Sequence, residues 1–70
     1  MEQQLHLILE RWTDKNRASV ARSLGISRSS LYVFLRGIRE PDPRLIVLWA
    51  DLAGASAEDR ARALRLRAGL

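Results

Sequence analysis

Residues 16–37 read NRASVARSLGISRSSLYVFLRG, and much of the fold can be worked out from them. Gly25 and Gly37 each follow a run whose apolar residues recur at helical spacing, which is typical of residues that end helices. Asn16 and Ser27 are predicted N-caps, because their side-chain oxygens can accept a hydrogen bond from a free backbone N–H. The stretch thus predicts two short helices joined by the tight turn Gly25-Ile26-Ser27. Their predicted buried residues are Val20, Ala21, Leu24, Leu31, Phe34 and Leu35.

The second of these helices carries an outward face of unusual composition. On a helical wheel an arc of about 140° opposite the apolar side holds Arg28, Ser29, Tyr32, Val33 and Arg36. An idle solvent-facing arc mixes Lys with Glu, whereas this arc combines basic, hydroxyl and apolar side chains without an acid. Such side chains can enter a major groove and contact base edges and phosphates.

The charge of the chain is concentrated around the same stretch. The net charge is +4, yet residues 15–39 contain no acid and residues 40–70 are neutral overall. The basic residues of the block are Lys15, Arg17, Arg22, Arg28, Arg36 and Arg39. A block of this kind favours a polyanionic partner, with nucleic acid first and an anionic membrane surface second. A solvated basic face without a partner is the alternative.

The rest of the chain also predicts helices. A stripe of Leu5, Ile8, Leu9 and Trp12 predicts a helix over residues 2–13. Asp42 and Pro43 mark the start of a helix that is apolar over most of its circumference, and a further helix starts at Ser56. We expect residues 44–53 to form the central buried helix, with its stripe at Leu45, Leu48, Trp49 and Leu52. No alternating apolar run predicts a strand. The predicted fold class is all-α, a compact bundle of about five short helices in one domain, residues 1–70.

Length and residue usage narrow the classes of function. Seventy residues with no Cys and one His exclude disulfides and thiolate metal sites. The sequence has no nucleophile–base pair, metal-spaced cluster or Gly-rich phosphate loop, so we expect no catalytic residue, cofactor, metal or small-molecule ligand. No apolar run reaches about 18 residues, and no basic flank precedes the first apolar stretch. A cytoplasmic protein without a membrane span is the expectation.

The last helix, within residues 56–70, has two apolar seams on nearly opposite sides. One contains Ala57, Ala61, Leu64 and Ala68, and the other contains Ala63, Leu66 and Leu70. A helix that ends a monomeric domain needs only one seam. We therefore predict that Ala63, Leu66 and Leu70 form a dimer interface; simple exposure near a frayed helix end is the alternative.

Residues 16–37 resemble the helix-turn-helix of phage repressor and Cro-like proteins, the Xre family. The matching residues are Val20, Ala21, Leu24, Gly25, Ile26, Ser27, Leu31, Phe34 and Gly37. The following Arg39-Glu40-Pro41 and the apolar fourth helix extend the resemblance over about residues 4–66. Many members have Gln at the start of the second helix, whereas this chain has Arg17, which can reach a phosphate but cannot accept a hydrogen bond.

The resemblance implies a lambda-repressor-like fold and a homodimeric transcriptional repressor that binds an inverted-repeat DNA operator. The size of the chain suits a regulator from a phage, plasmid or mobile element. Such regulators can repress their own operon. For base readout we predict Arg28, Ser29, Tyr32 and Val33. For phosphate contacts we predict Asn16, Arg17, Arg22, Ser27, Arg36 and Arg39.

Other interpretations remain open at this point. GISRSSLYVFLR, residues 25–36, also resembles the C-terminal helix-turn-helix of Fis-type activators, although those proteins usually end soon after the recognition helix. A protein-interaction module, such as an antitoxin or adaptor with a vestigial helix-turn-helix, would bind a partner protein instead of DNA. A basic membrane-surface peptide is a third alternative.

Overall fold

Five α-helices make up most of the part of the chain that the computed structural model describes, residues 4–13 and 16–70. They are α1 (Leu5–Trp12), α2 (Arg17–Leu24), α3 (Arg28–Leu35), α4 (Pro43–Ala53) and α5 (Ala57–Ala68). No strand occurs in these two ranges, so the predicted all-α class is confirmed. Because Gln4 has extended backbone angles, φ −122° and ψ 133°, α1 begins later than predicted; residues 2 and 3 lie outside the described residues.

Side-chain caps begin four of the five helices at the predicted residues. A side-chain oxygen accepts a backbone N–H of the first turn at Asn16 (from Ser19, 3.0 Å), Ser27 (from Ser30, 3.0 Å), Asp42 (from Arg44, 2.8 Å, and Leu45, 3.1 Å) and Ser56 (from Asp59, 3.1 Å). A helix start leaves four N–H groups without intrahelical partners, and a good cap stabilises the helix by about 1 kcal/mol. The local sequence therefore sets where α2 to α5 begin.

The core collects apolar side chains from all five helices around Trp49 of α4. The indole is fully buried, and the ring of Phe34 on α3 packs edge-on against it, with ring centroids 6.3 Å apart. The predicted stripe of α1 is confirmed as buried. The buried apolar side chains are Leu5, Ile8, Leu9, Trp12, Ala21, Leu24, Leu31, Leu35, Ile46, Trp49, Ala50 and Ala63.

A short chain of hydrogen bonds crosses this core. The indole Nε1–H of Trp49 donates to Thr13 Oγ1 at 2.8 Å, and the hydroxyl of Thr13 donates to the carbonyl oxygen of Leu9 at 2.7 Å. Thr13 is the one buried polar residue among those described. A buried N–H without a partner costs about 1–3 kcal/mol. Thr13 therefore makes the burial of Trp49 possible and ties α4 to the end of α1.

The orientation of α4 differs from the prediction. Its buried face is Ile46, Trp49 and Ala50, whereas Leu48 and Leu52 are 41% and 49% exposed. The predicted stripe is therefore wrong for these two leucines, and α4 is buried on one face only. Since apolar residues surround most of the helix, hydropathy could not select a face. The Trp49–Thr13 hydrogen bond and the packing of Trp49 against α3 select it.

The structure contradicts the predicted role of one residue in the α5 seam. Ala63 is fully buried in the core of its own chain, and Leu66 packs against that core. Ala63 is therefore not available as a dimer contact, and Leu66 is half-buried. Leu70, the third predicted residue, is 85% exposed. Leu64, from the opposite seam, also packs against the core, so both seams contribute to the packing of α5 on its own domain.

The end of α3 is held close to α1 by Gly37 and His6. Gly37 has a φ of +74°, and a Cβ on it would lie 2.8 Å from Nδ1 of the half-buried His6. A left-handed backbone conformation and the lack of space both favour glycine here. The single histidine is thus a packing residue between α1 and the loop after α3.

The hydrogen bonds of Thr13 predict a measurable effect on stability. Thr13→Val keeps the shape of the side chain but leaves the Trp49 N–H without its acceptor, and should lower the free energy of unfolding by about 1–3 kcal/mol. Thr13→Ser keeps the hydroxyl and should cost only about 0.8 kcal/mol for the lost methyl group. Urea unfolding followed by tryptophan fluorescence checks both values. A Thr13→Val variant as stable as the wild type would contradict the assigned role of this hydrogen bond.

Candidate nucleic-acid interface

The turn between α2 and α3 is held by backbone hydrogen bonds and one apolar contact. Gly25 adopts the left-handed conformation, with φ +72°, and Ile26 donates its N–H to the carbonyl oxygen of Ala21 at 3.0 Å. The side chain of Ile26 packs partly buried against the core. Ser27 then caps α3. Three residues therefore suffice to reverse the chain, as the sequence predicts, and α3 starts in a defined position against α2.

The two sides of α3 differ in burial as predicted. Leu31 and Leu35 are buried and Phe34 is half-buried. The opposite side consists of the exposed Arg28, Ser29, Tyr32 and Arg36 and the half-buried Val33. The apolar side of α3 packs on the core, so its polar side faces solvent.

An open groove of about 460 Å³ brings several of the predicted contact residues together. All four predicted base-reading residues line it, joined by Arg17 from the first turn of α2. Leu31 and Leu35 also contribute to its lining. We call this surface the α3 groove. Residues 11 positions apart in the sequence, Arg17 and Arg28, thus flank one surface, and that proximity depends on the turn between the two helices.

Tyr32 and Arg36 form a pair along α3. A guanidinium nitrogen of Arg36 donates to the Tyr32 hydroxyl oxygen at 2.6 Å, and its central carbon lies 5.2 Å from the centroid of the ring. An i, i+4 spacing brings such side chains together on a helix, although the predicted roles were separate, base readout for Tyr32 and a phosphate contact for Arg36. The pair holds the guanidinium along the helix while Tyr32 stays 51% exposed.

The remaining predicted phosphate contacts lie apart from the α3 groove. Asn16 and Ser27 use their side-chain oxygens as caps, and the Ser27 hydroxyl also donates to Ser30 at 3.1 Å. Arg22 is exposed on α2 without lining the groove. Arg39 lines a different depression, next to His6. These four residues therefore do not form one cluster with the base-reading residues.

Ion pairs distinguish two groups of arginines. The arginines outside residues 16–39 that form ion pairs are Arg11 (with Asp59, 3.3 Å), Arg60 (Asp51, 3.9 Å), Arg62 (Asp59, 4.0 Å) and Arg67 (Glu40, 3.8 Å). Within residues 4–13 and 16–70, no acidic partner pairs with Arg17, Arg22, Arg28, Arg36 or Arg39. Lys15, the other basic residue of the block, lies outside these ranges. Among residues 4–13 and 16–70, no acid therefore neutralises the positive charge of α2 and α3.

Comparison with protein-family models, with curated proteins and with solved structures finds no match for the chain. Within the described ranges, His, Asp and Glu side chains form no group of three or more that could hold a metal ion. None of the helices described there has the length and apolar character needed to cross a membrane.

The N-cap at Ser27 is predicted to contribute to the stability of the fold. Ser27→Ala removes the acceptor for the Ser30 N–H and should lower the free energy of unfolding by about 1 kcal/mol, or lower Tm by about 4–8 °C. Ser27→Asn is the matched control, because asparagine caps as well as serine and should leave Tm nearly unchanged. Thermal unfolding followed by circular dichroism separates the two variants. Equal losses in both would show that the side chain of Ser27 does not act as a cap.

Proposed function

We propose that this chain is a sequence-specific double-stranded DNA-binding regulator that inserts α3 into the major groove. The observation that carries the proposal is the unpaired positive charge of α2 and α3 around the α3 groove. Unpaired arginines on one surface attract phosphates at long range. Side chains with hydrogen-bonding and apolar groups, set among them on an exposed helix, can distinguish base pairs.

Each side chain of the α3 groove has a role in this proposal. Arg28 and Ser29 lie in the first turn of α3 and contact base edges; a guanidinium matches O6 and N7 of guanine with two hydrogen bonds. Val33 meets a thymine methyl group one turn further along. Arg17 contacts a phosphate from the first turn of α2, where free N–H groups also favour an anion.

Tyr32 and Arg36 act together at the other end of the helix. The hydroxyl of Tyr32 accepts a hydrogen bond from Arg36, which leaves its own O–H free to donate to a base or a phosphate. Arg36, held along the helix by this contact, reaches a backbone phosphate. Arg22 and Arg39, which lie apart from the α3 groove, supply further phosphate contacts.

Repression is the regulatory outcome that we propose. The resemblance of residues 16–37 to Xre-family repressors supports it. Two copies on an inverted repeat would place their recognition helices about 34 Å apart, one turn of DNA. A dimer bound across a promoter blocks transcription by occupying it.

Selection of bound sequences from random duplex DNA tests the proposal. We expect an enriched inverted repeat, and an affinity that falls steeply with salt, because each neutralised phosphate contributes a slope of about −0.9 to log K against log salt. A selection that enriches no sequence would contradict specific DNA recognition. Binding to a partner protein that does not change with salt would favour the interaction-module alternative.

The Arg28→Ala variant tests whether Arg28 contacts a base or only attracts the phosphate backbone. We expect a loss of about 1–3 kcal/mol on the selected duplex, with relaxed preference at one base pair in each half-site. Arg65→Ala is the matched control: Arg65 is an exposed arginine of α5, and its loss should leave sequence preference intact. Fluorescence anisotropy with duplexes varied one pair at a time gives both results. An equal loss on every duplex would make Arg28 a phosphate contact instead.

A further inference from the structure

The solvent-facing side of α4 carries an apolar surface that none of the described residues covers. Val47, Leu48 and Leu52 are 37%, 41% and 49% exposed, and Arg44 and Asp51 are exposed beside them. We call these five residues the α4 outer stripe. None of them lines the α3 groove. The stripe is thus free for a partner even when the α3 groove is occupied.

Opposite charges flank the apolar centre of the stripe. Arg44, Val47, Leu48 and Asp51 follow the spacing i, i+3, i+4, i+7, which places them along one line on a helix. Arg44 therefore lies at one end and Asp51 at the other, with the two apolar residues between them. Two turns of helix, about 10.5 Å, separate the charged residues along the axis, so they do not neutralise each other.

This arrangement is complementary to itself. When two α4 helices pack antiparallel about a two-fold axis between Val47 and Leu48, Arg44 lies opposite Asp51 of the partner subunit. Val47 then lies opposite Leu48 of the partner subunit, and a parallel arrangement would instead bring like charges together. A two-fold axis creates each contact twice.

The surroundings of the stripe also suit this arrangement. Arg44 forms no ion pair with the residues that the structure describes. Asp51 has a side chain 64% exposed and only a 3.9 Å contact to Arg60, so it remains accessible to a second guanidinium. A shallow groove of about 400 Å³, lined by Phe34 and Leu48 among others, borders the Arg44 end. In the antiparallel arrangement Leu52 of the partner subunit lies next to this groove.

We propose that a second copy of this chain docks on the α4 outer stripe in this antiparallel arrangement. The proposal rests on the proposed function in one respect, because it supplies the dimer that an inverted repeat requires. It also replaces the α5 seam, whose Ala63 and Leu66 pack in their own domain. Stable interfaces bury at least about 600 Å² on each partner, and a stripe of five residues is smaller. The dimer is therefore weak in free solution, and two adjacent DNA half-sites reinforce it.

Charge reversal tests the antiparallel contact. Arg44→Glu alone and Asp51→Lys alone each place like charges opposite one another at both contacts, and each should weaken self-association by about tenfold. A mixture of the two variants restores opposite charges at both contacts and should associate as tightly as the wild type. Sedimentation equilibrium from micromolar to millimolar protein measures the self-association of each variant and the association in their mixture. Arg65→Glu, a charge reversal outside the stripe, is the control and should associate like the wild type.

Leu48→Glu gives a second, independent measurement. It should abolish self-association and the cooperative binding of a second copy to an inverted repeat, while single half-sites are bound as before. Circular dichroism verifies that each variant is folded. We expect them to fold, because the substituted positions are exposed. A wild type that stays monomeric at every concentration and binds both half-sites independently would overturn the proposal. So would folded charge variants whose mixture does not associate.

The results separate this inference from the proposed function. Self-association that follows the charge pattern, in a protein that enriches no DNA sequence, would support the α4 interface and contradict DNA recognition. Specific DNA binding that Leu48→Glu and the charge variants leave unchanged, including its cooperativity, would contradict the α4 interface alone.

Discussion

The hydrogen bond from the Trp49 indole to Thr13 is the constraint on which the arrangement of the helices depends. The largest side chain of the core carries an N–H that must be satisfied when it is buried. Thr13, immediately after α1, accepts that bond at 2.8 Å, and its own hydroxyl donates to the carbonyl oxygen of Leu9. Because the bond joins α1 to α4, it sets the rotation of α4. The same rotation places Val47, Leu48 and Leu52 in solvent.

Trp49 also connects the core to the candidate interface. Phe34 packs edge-on against its ring, while Leu31 and Leu35 bury the same side of α3. With that side held in the core, Arg28 and Tyr32 are directed outward. The tight turn brings Arg17 to the same surface, and the described acids that form ion pairs, Glu40, Asp51 and Asp59, pair with arginines outside α2 and α3. Packing and charge thus act together: the core holds α3 in place, and the distribution of acids leaves its surface positive.

Local signals were sufficient for some features and not for others. The caps at Asn16 and Ser27 and the turn at Gly25 were predicted, because each depends on hydrogen bonds or backbone angles within a few residues. The outward side of α3 was predicted, because its apolar and polar residues are well separated. The face of α4 was predicted wrongly, because an apolar circumference offers several faces of similar hydropathy. Ala63 of α5 was misassigned for a related reason, since both seams of α5 satisfy helical spacing.

The sequence by itself determined the helical class, four helix starts, the turn between α2 and α3 and the basic block, all of which depend on residues close together in the chain. Only the tertiary structure decided which face of α4 is buried and that Ala63 of α5 lies in the core. It also decided that Arg17 joins the α3 groove and that no acid neutralises it within the described residues. These outcomes depend on partners far apart in the sequence, above all Trp49 and Thr13, and periodicity within one helix contains no information about its partner.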